Sequence, residues 1–515
     1  MSTLRALAKA QAVAAGVAQP VATVRHVHLH ERPLVLVPLA LAGEANAPLA
    51  AMVGTAPDEA RLLVVPQPRN RDQRFRFAAE LAEVVLPYVD AHREVSEAVP
   101  VDRGRDVRYR YVDAPQVLVP NPAGITFLRL LGRSTRFRRP DGEHPVHPSV
   151  PLLGRWLTSF ADRAEHPGAS ALLAMTDALT LHWATGQSAV EDLHLPALLG
   201  WIDPPPGTTG AEAAARAEDP GTHPPAGPAT DPDFDNHRLA PAIAAYAEAE
   251  DDPDARAEAY ATLESLLRDQ LAPTWELMWR GVGLLRALPP GARVEGRWAG
   301  DRDAFTAHAE HVDAGGGPQP RRDGAVAAAV RLHRLERALT SYAVQRAYDD
   351  PLVMAEHRLT GEAFVGEVTL ADPARVDDSG KRPVLRPRIQ VVTTEPVLMP
   401  VGATLYSPAR PGQKARVVFL HPADGKTEVV LELSGGMGRG LTAPPGSVPE
   451  VGERLCYTTL SDAYLPAGAF PAPEETPWTH GGPPVPAGAE AAGAATAGDA
   501  AGDPAPDGDP AEEWA

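Results

Sequence analysis

Cysteine occurs once in this 515-residue chain, at Cys456. One thiol excludes an intramolecular disulfide and a cysteine-built zinc cluster, and it fits a reducing, cytoplasmic compartment. Long apolar runs are missing too. The most apolar stretch, 33–43, is interrupted by Pro38 and falls well short of the ~20 residues that cross a bilayer. The N-terminus has no charged region leading into an apolar one, and Leu4 to Val17 reads instead as a short Ala-rich amphipathic helix. No membrane partner is expected. Lysine is confined to Lys9, Lys381, Lys414 and Lys426, so the 48 basic residues are overwhelmingly arginine; with aromatics at 5%, this is the composition of a GC-rich, bacterial coding genome. Arginine's abundance alone therefore says little about chemistry.

Catalytic signatures are equally scarce. There is no Gly-x-Ser-x-Gly elbow, and His308-Ala309-Glu310-His311 lacks the four-residue histidine spacing of a zinc-protease helix, so it reads as an exposed segment. Gly435-Gly436-Met437-Gly438-Arg439-Gly440 is followed by Pro444 and Pro445 rather than a helix start and reads as a turn between strands. A metal-dependent nuclease core would need acids followed by a Glu-x-Lys-like strand, whereas the run Leu62 to Val65 leads into Pro66-Gln67-Pro68. The sequence assigns no cofactor.

What is present is 44% apolar residue together with 55 Pro and 44 Gly, a length that exceeds one core, and a net charge of −19 that is unevenly spread. The expected fold is a multidomain α/β (α+β) chain. Residues 1–200 read as a mixed α/β domain, with extended runs at Val24 to Arg32, Leu34 to Leu41, Leu62 to Val65 and Val117 to Val119. Helices are expected around Arg74 to Ala91, Ile125 to Leu131, Leu152 to Ala164 and Ala171 to Ala184. Residues 203–236, opening on Pro204-Pro205-Pro206, form a Pro-rich acidic linker with too little apolar surface to offset ordering entropy. A helical region follows over 237–350, with Pro273 expected to separate two helices. Over 351–465, five β-branched runs punctuated by turns predict a small β-barrel or sandwich, for which an oligonucleotide-binding barrel fits the count. From 466 to 515 the chain is Pro, Gly, Ala and acid, a disordered acidic tail.

Three features carry chemistry. His26, His28 and His30 alternate, and on a strand they would share one face, where a carboxylate such as Glu44 completes a metal set. Arg69, Arg71, Arg74 and Arg76 form one basic cluster and Arg129, Arg133, Arg136, Arg138 and Arg139 a second, with Phe127 and Phe137 interleaved. A guanidinium group binds a phosphate bidentately, through two parallel hydrogen bonds, and aromatics stack on exposed bases. Trp514, amid Asp507, Asp509, Glu512 and Glu513, is an aromatic that a basic-rimmed pocket on a protein partner can take. The leading expectation is a non-enzymatic binding or scaffold protein, an accessory subunit of a nucleic-acid-processing complex. Two alternatives stand beside it: a metal-dependent hydrolase or nuclease using the histidines, and a protein–protein assembly factor presenting the helices of residues 255–348.

Overall fold

After an N-terminal helix, α1 (Thr3–Ala15), short apolar runs between turns build a five-stranded sheet from β1 (Leu34–Ala40), β2 (Pro48–Gly54), β3 (Arg61–Val64), β4 (Val117–Val119) and β5 (Leu172–Ala174). The computed structural model describes residues 2–44, 47–101, 104–225, 227–462 and 468–471. The strand order is β3-β2-β1-β4-β5, with β1, β2 and β3 an antiparallel meander and β4 and β5 parallel to β1. Alternate residues of β1 and β2 serve two different cores. Leu34, Leu36, Ala51 and Val53 face α2 (Arg71–Ala91), α3 (Pro122–Thr135) and α4 (Ser149–Ala164). Val35, Val37, Leu39, Ala50 and Met52 face the opposite side, where α5 (Leu195–Ile202) and the long helix described below pack. A sheet covered on both faces must be apolar on both, and β1 is buried at every position from Leu34 to Leu39.

That packing redraws the expected boundaries. The long helix α7 (Pro253–Ala287) buries Leu263, Leu267, Leu271, Trp275 and Met278 against the sheet, and α8 (Val294–Asp313) contributes Trp298 and Phe305 to the other core. The helical region therefore completes the first unit's cores instead of forming one of its own. Pro273 sits inside α7 without ending it. The Pro-rich segment between them is also docked. It carries α6 (Gly210–Ala217), whose N-terminus is closed by a Thr209–Glu212 capping box and whose Ala214 and Ala217 cluster with Trp201. Small alanines bury little area each, which is why this stretch reads as a linker in sequence. The helix expected over 171–184 is instead β5 followed by a short helix, Met175–Thr180, because a doubly buried parallel strand and a buried helix share one continuous apolar pattern.

After α9 (Ala325–Asp349) the chain enters a closed barrel spanning 363–458. Its strands are β6 (Ala363–Asp372), β7 (Arg388–Thr393), β8 (Thr404–Tyr406), β9 (Lys414–Ala423), β10 (Lys426–Ser434) and β11 (Arg454–Thr458), in the order β6-β7-β10-β9-β8-β11. Six strands close the ring where the sequence marks five, the unmarked one being the three-residue β8. Phe364, Val391, Leu405, Leu431 and Tyr457 fill its interior. Cys456 on β11 points partly outward, and burial pushes its thiol up to about 11, so it stays protonated. No helix among the described residues is long and apolar enough to cross a membrane. Trp514 and the rest of the tail from 472 lie outside the described residues.

Candidate functional site

The alternating histidines do not lie on a sheet strand. Residues 26–30 form no regular element ahead of β1, and their imidazoles go to three places. His26 is fully buried, its Nε2 3.5 Å from Asp350 Oδ2, and its backbone N–H donates to His182 Nε2 at 2.9 Å. His28 stacks on Trp298 with ring centroids 4.0 Å apart, and burial lowers its pKa to about 4. His30 alone reaches a concave surface, a pocket of roughly 570 Å³ that also includes Arg32, Thr55, Tyr88, His92 and Asp113. Glu44, the carboxylate considered for completing a histidine set, accepts instead from Arg69 at 2.7 Å.

Two elements assemble the pocket's polar cluster. Pairing of Leu34 with Val117 sets β1 and β4 in parallel register, and residues four positions earlier on each, His30 and Asp113, are therefore neighbours at the sheet edge. The last turn of α2 adds Tyr88 and His92, one turn apart on one face. His30 Nε2 lies 2.9 Å from Asp113 Oδ2 and 3.3 Å from His92 Nε2. The cluster is held from behind. His92 Nδ1–H donates to the Tyr88 carbonyl at 2.8 Å, which leaves the Nε2 lone pair facing inward. Asp113 Oδ1 accepts from the Ala114 amide at 2.9 Å and from Trp298 Nε1–H at 3.0 Å. Burial alone would raise the Asp113 pKa, but the hydrogen bonds from His30, Ala114 and Trp298 outweigh it and hold the carboxyl at about 2. His92 is shifted down by burial. Behind them, fully buried Gln116 accepts from the His30 amide and donates to the carbonyls of His28 and Ser170. Asp113 and His92 escape notice in the sequence because strand register brings the first to His30 and the packing of α2 the second.

The arginine clusters divide into structural and surface groups. Arg76 pairs with Glu80 and Arg129 with Glu165, both at 2.9 Å. Arg136 is buried and donates to the carbonyls of Gln319 and Pro320. Arg74 donates to the Arg69 carbonyl. The remaining groups converge. Arg71, at the start of α2, lies 4.7 Å from the Phe75 ring centroid and also meets Asp72; Arg138, just past α3, lies 5.3 Å from the same ring. Arg136 and Arg321 cover the Phe137 ring at 4.9 and 5.3 Å. Arg133, Arg139 and Arg322 are exposed on the adjoining segments. Two clusters more than fifty positions apart in sequence thus become one arginine–aromatic face. Beside the nuclease alternative, β2 and β3 carry no acid at all. His308, expected in an exposed segment, lies on α8 with its ring edge-on to Trp156.

No protein-family model, curated protein or solved structure matches this chain.

Proposed function

We propose that this chain is a non-catalytic binding protein that contacts the phosphate backbone of nucleic acid through the face around Phe75 and Phe137, as an accessory subunit of a larger nucleic-acid-processing complex. One observation carries the reading: guanidinium groups from α2, the end of α3 and the 319–322 segment gather over two aromatic rings. Guanidinium groups gathered over the rings concentrate positive charge that attracts a phosphate, and Phe137, left 39% exposed, offers part of its ring to a base. β2 and β3 carry no acid, which favours this reading over a nuclease core built on those strands.

The test is fluorescence anisotropy of labelled single-stranded and duplex oligonucleotides across a salt series. Binding should weaken steeply with salt, since each neutralised phosphate releases counterions and contributes about 0.7–0.9 to the log–log slope. Arg133→Glu with Arg139→Glu, both exposed, should weaken binding at least about tenfold and flatten that slope. Arg136 is unsuited to the test, because reversing a buried charge perturbs the fold. Unchanged binding in the double variant, or none by the parent chain at low salt, overturns the proposal.

A further inference from the structure

The histidine pocket lies away from the arginine face and has no part in that proposal. We propose that His30, His92 and Asp113 bind one divalent first-row metal ion, zinc foremost, with the open coordination position facing the pocket. Three ligand atoms, His30 Nε2, His92 Nε2 and an Asp113 carboxylate oxygen, lie within 4.8 Å of one another. Their closest separations of 2.9 and 3.3 Å match the spacing of ligands that share one ion at about 2.0–2.2 Å each.

The donor set selects the class of ion. Two imidazoles with one carboxylate suit zinc and its neighbours and not magnesium or calcium, which take oxygen ligands. Three protein ligands facing a cavity leave a fourth position for water or a small ligand. The surrounding contacts are those a metal site requires. His92 already holds the ligating tautomer, with Nδ1–H fixed on the Tyr88 carbonyl, and Asp113 has its Oδ1 occupied by two donors and its Oδ2 turned to the cluster. Trp298, which fixes Asp113, also carries the stacked His28, so the carboxylate is set by the packed core.

His30 needs one adjustment. Its Nδ1 now accepts the Arg32 amide at 2.9 Å, which places the ring proton on Nε2. Ligation through Nε2 moves that proton to Nδ1 with no net release, and the Arg32 N–H, which lies at the exposed edge, turns to solvent. The site therefore takes metal by loosening one surface turn.

The test uses the full-length, tag-free chain, stripped of metal and titrated with Zn²⁺ and separately with Co²⁺. One equivalent should bind, and Co²⁺ should give the intense visible ligand-field bands of a low-symmetry four-coordinate site. His92→Gln and Asp113→Asn should each lower affinity at least tenfold and weaken those bands. His147→Gln, on an exposed loop, should change neither. A parent chain that binds neither ion, or that binds equally well after His92→Gln with its circular dichroism intact, overturns the proposal. If His92→Gln does not fold, Asp113→Asn decides; if neither folds, a parent Co²⁺ spectrum without ligand-field bands overturns it.

Discussion

Replacing Gln116 should be among the most costly single changes in the body, although the side chain carries no charge and lies in no cavity. It is fully buried at the start of β4, and its amide makes three hydrogen bonds of 2.8–2.9 Å: from the His30 N–H, to the His28 carbonyl and to the Ser170 carbonyl. These tie the histidine segment and the approach to β5 onto the sheet edge. Gln116→Ala leaves one donor and two acceptors unsatisfied in the interior, at about 1–3 kcal/mol each, and water entering the vacated space recovers part of that, so we expect a loss of about 3–5 kcal/mol. Gln116→Met keeps most of the volume and should lose a similar amount, which separates hydrogen bonding from packing. Urea unfolding read by tryptophan fluorescence is the suitable assay, because the barrel strands contain no tryptophan and six of the eight tryptophans, Trp156, Trp183, Trp201, Trp275, Trp279 and Trp298, lie in the α/β body. A loss below about 1 kcal/mol in both variants would refute the argument that these backbone groups depend on Gln116.

Two further changes probe the same body. Gly154→Ala on α4 should destabilise by about 1–3 kcal/mol despite alanine's better helix propensity, since a Cβ there overlaps the Arg136 amide and Thr135 Oγ1 where α3 and α4 cross; thermal melts that rise instead would show the crossing to be loose. Acid should unfold the body through its neutral histidines. Burial holds fully enclosed His182 at about 4 against an ordinary 6.5, and both its ring nitrogens are used in the neutral form, Nδ1–H donating to the Ala178 carbonyl and Nε2 accepting the His26 amide. The unfolded chain takes up this proton first, so stability is fully present above about pH 6.5 and is lost as pH falls toward 4, by on the order of 3 kcal/mol from this residue. His308, also lowered to about 4 by burial, acts in the same direction. A pH series of urea midpoints checks this, and His182→Gln should flatten the profile between pH 4 and 6.5.

Legibility of the fold followed the physics of each element. Helix α2 stands out because Phe77, Leu81, Val84, Val85 and Tyr88 recur at helical spacing with charged residues between them. The barrel strands stand out through alternation, as in β7, where Ile389, Val391 and Thr393 are buried and their neighbours are not. Strand β2 did not, since Pro48-Leu49-Ala50-Ala51-Met52-Val53-Gly54 has no alternation to display when both faces are covered. The shared cores of sheet and helices were illegible for a similar reason: composition marks a proline-rich stretch as a boundary, while the packing of Ala214 and Ala217 with Trp201 is a tertiary fact. Of the site, the sequence displayed His30 and the arginines as local clusters. It could not display Asp113, whose relation to His30 is a strand register, nor the meeting of Arg71 with Arg138 over Phe75.

Helix α2 links the two proposals while keeping them independent. Its first turn supplies Arg71 and Phe75 to the arginine face, and its C-terminal turn supplies Tyr88 and His92 to the histidine pocket. At 1.5 Å per residue, its 21 residues set these ends about 30 Å apart, several times the range over which substitutions usually couple. A charge reversal at Arg133 and Arg139 should therefore leave metal affinity unchanged, and His92→Gln should leave the salt slope of oligonucleotide binding unchanged. Coupling between the two would require α2 to move as a rigid rod. Phe77, Leu81, Val85 and Val89 are fully enclosed against the sheet and α4, and shifting them together would open the core they fill. Should the metal-site variant nevertheless alter nucleic-acid binding, the two ends belong to one functional surface, and the assignment of separate roles fails.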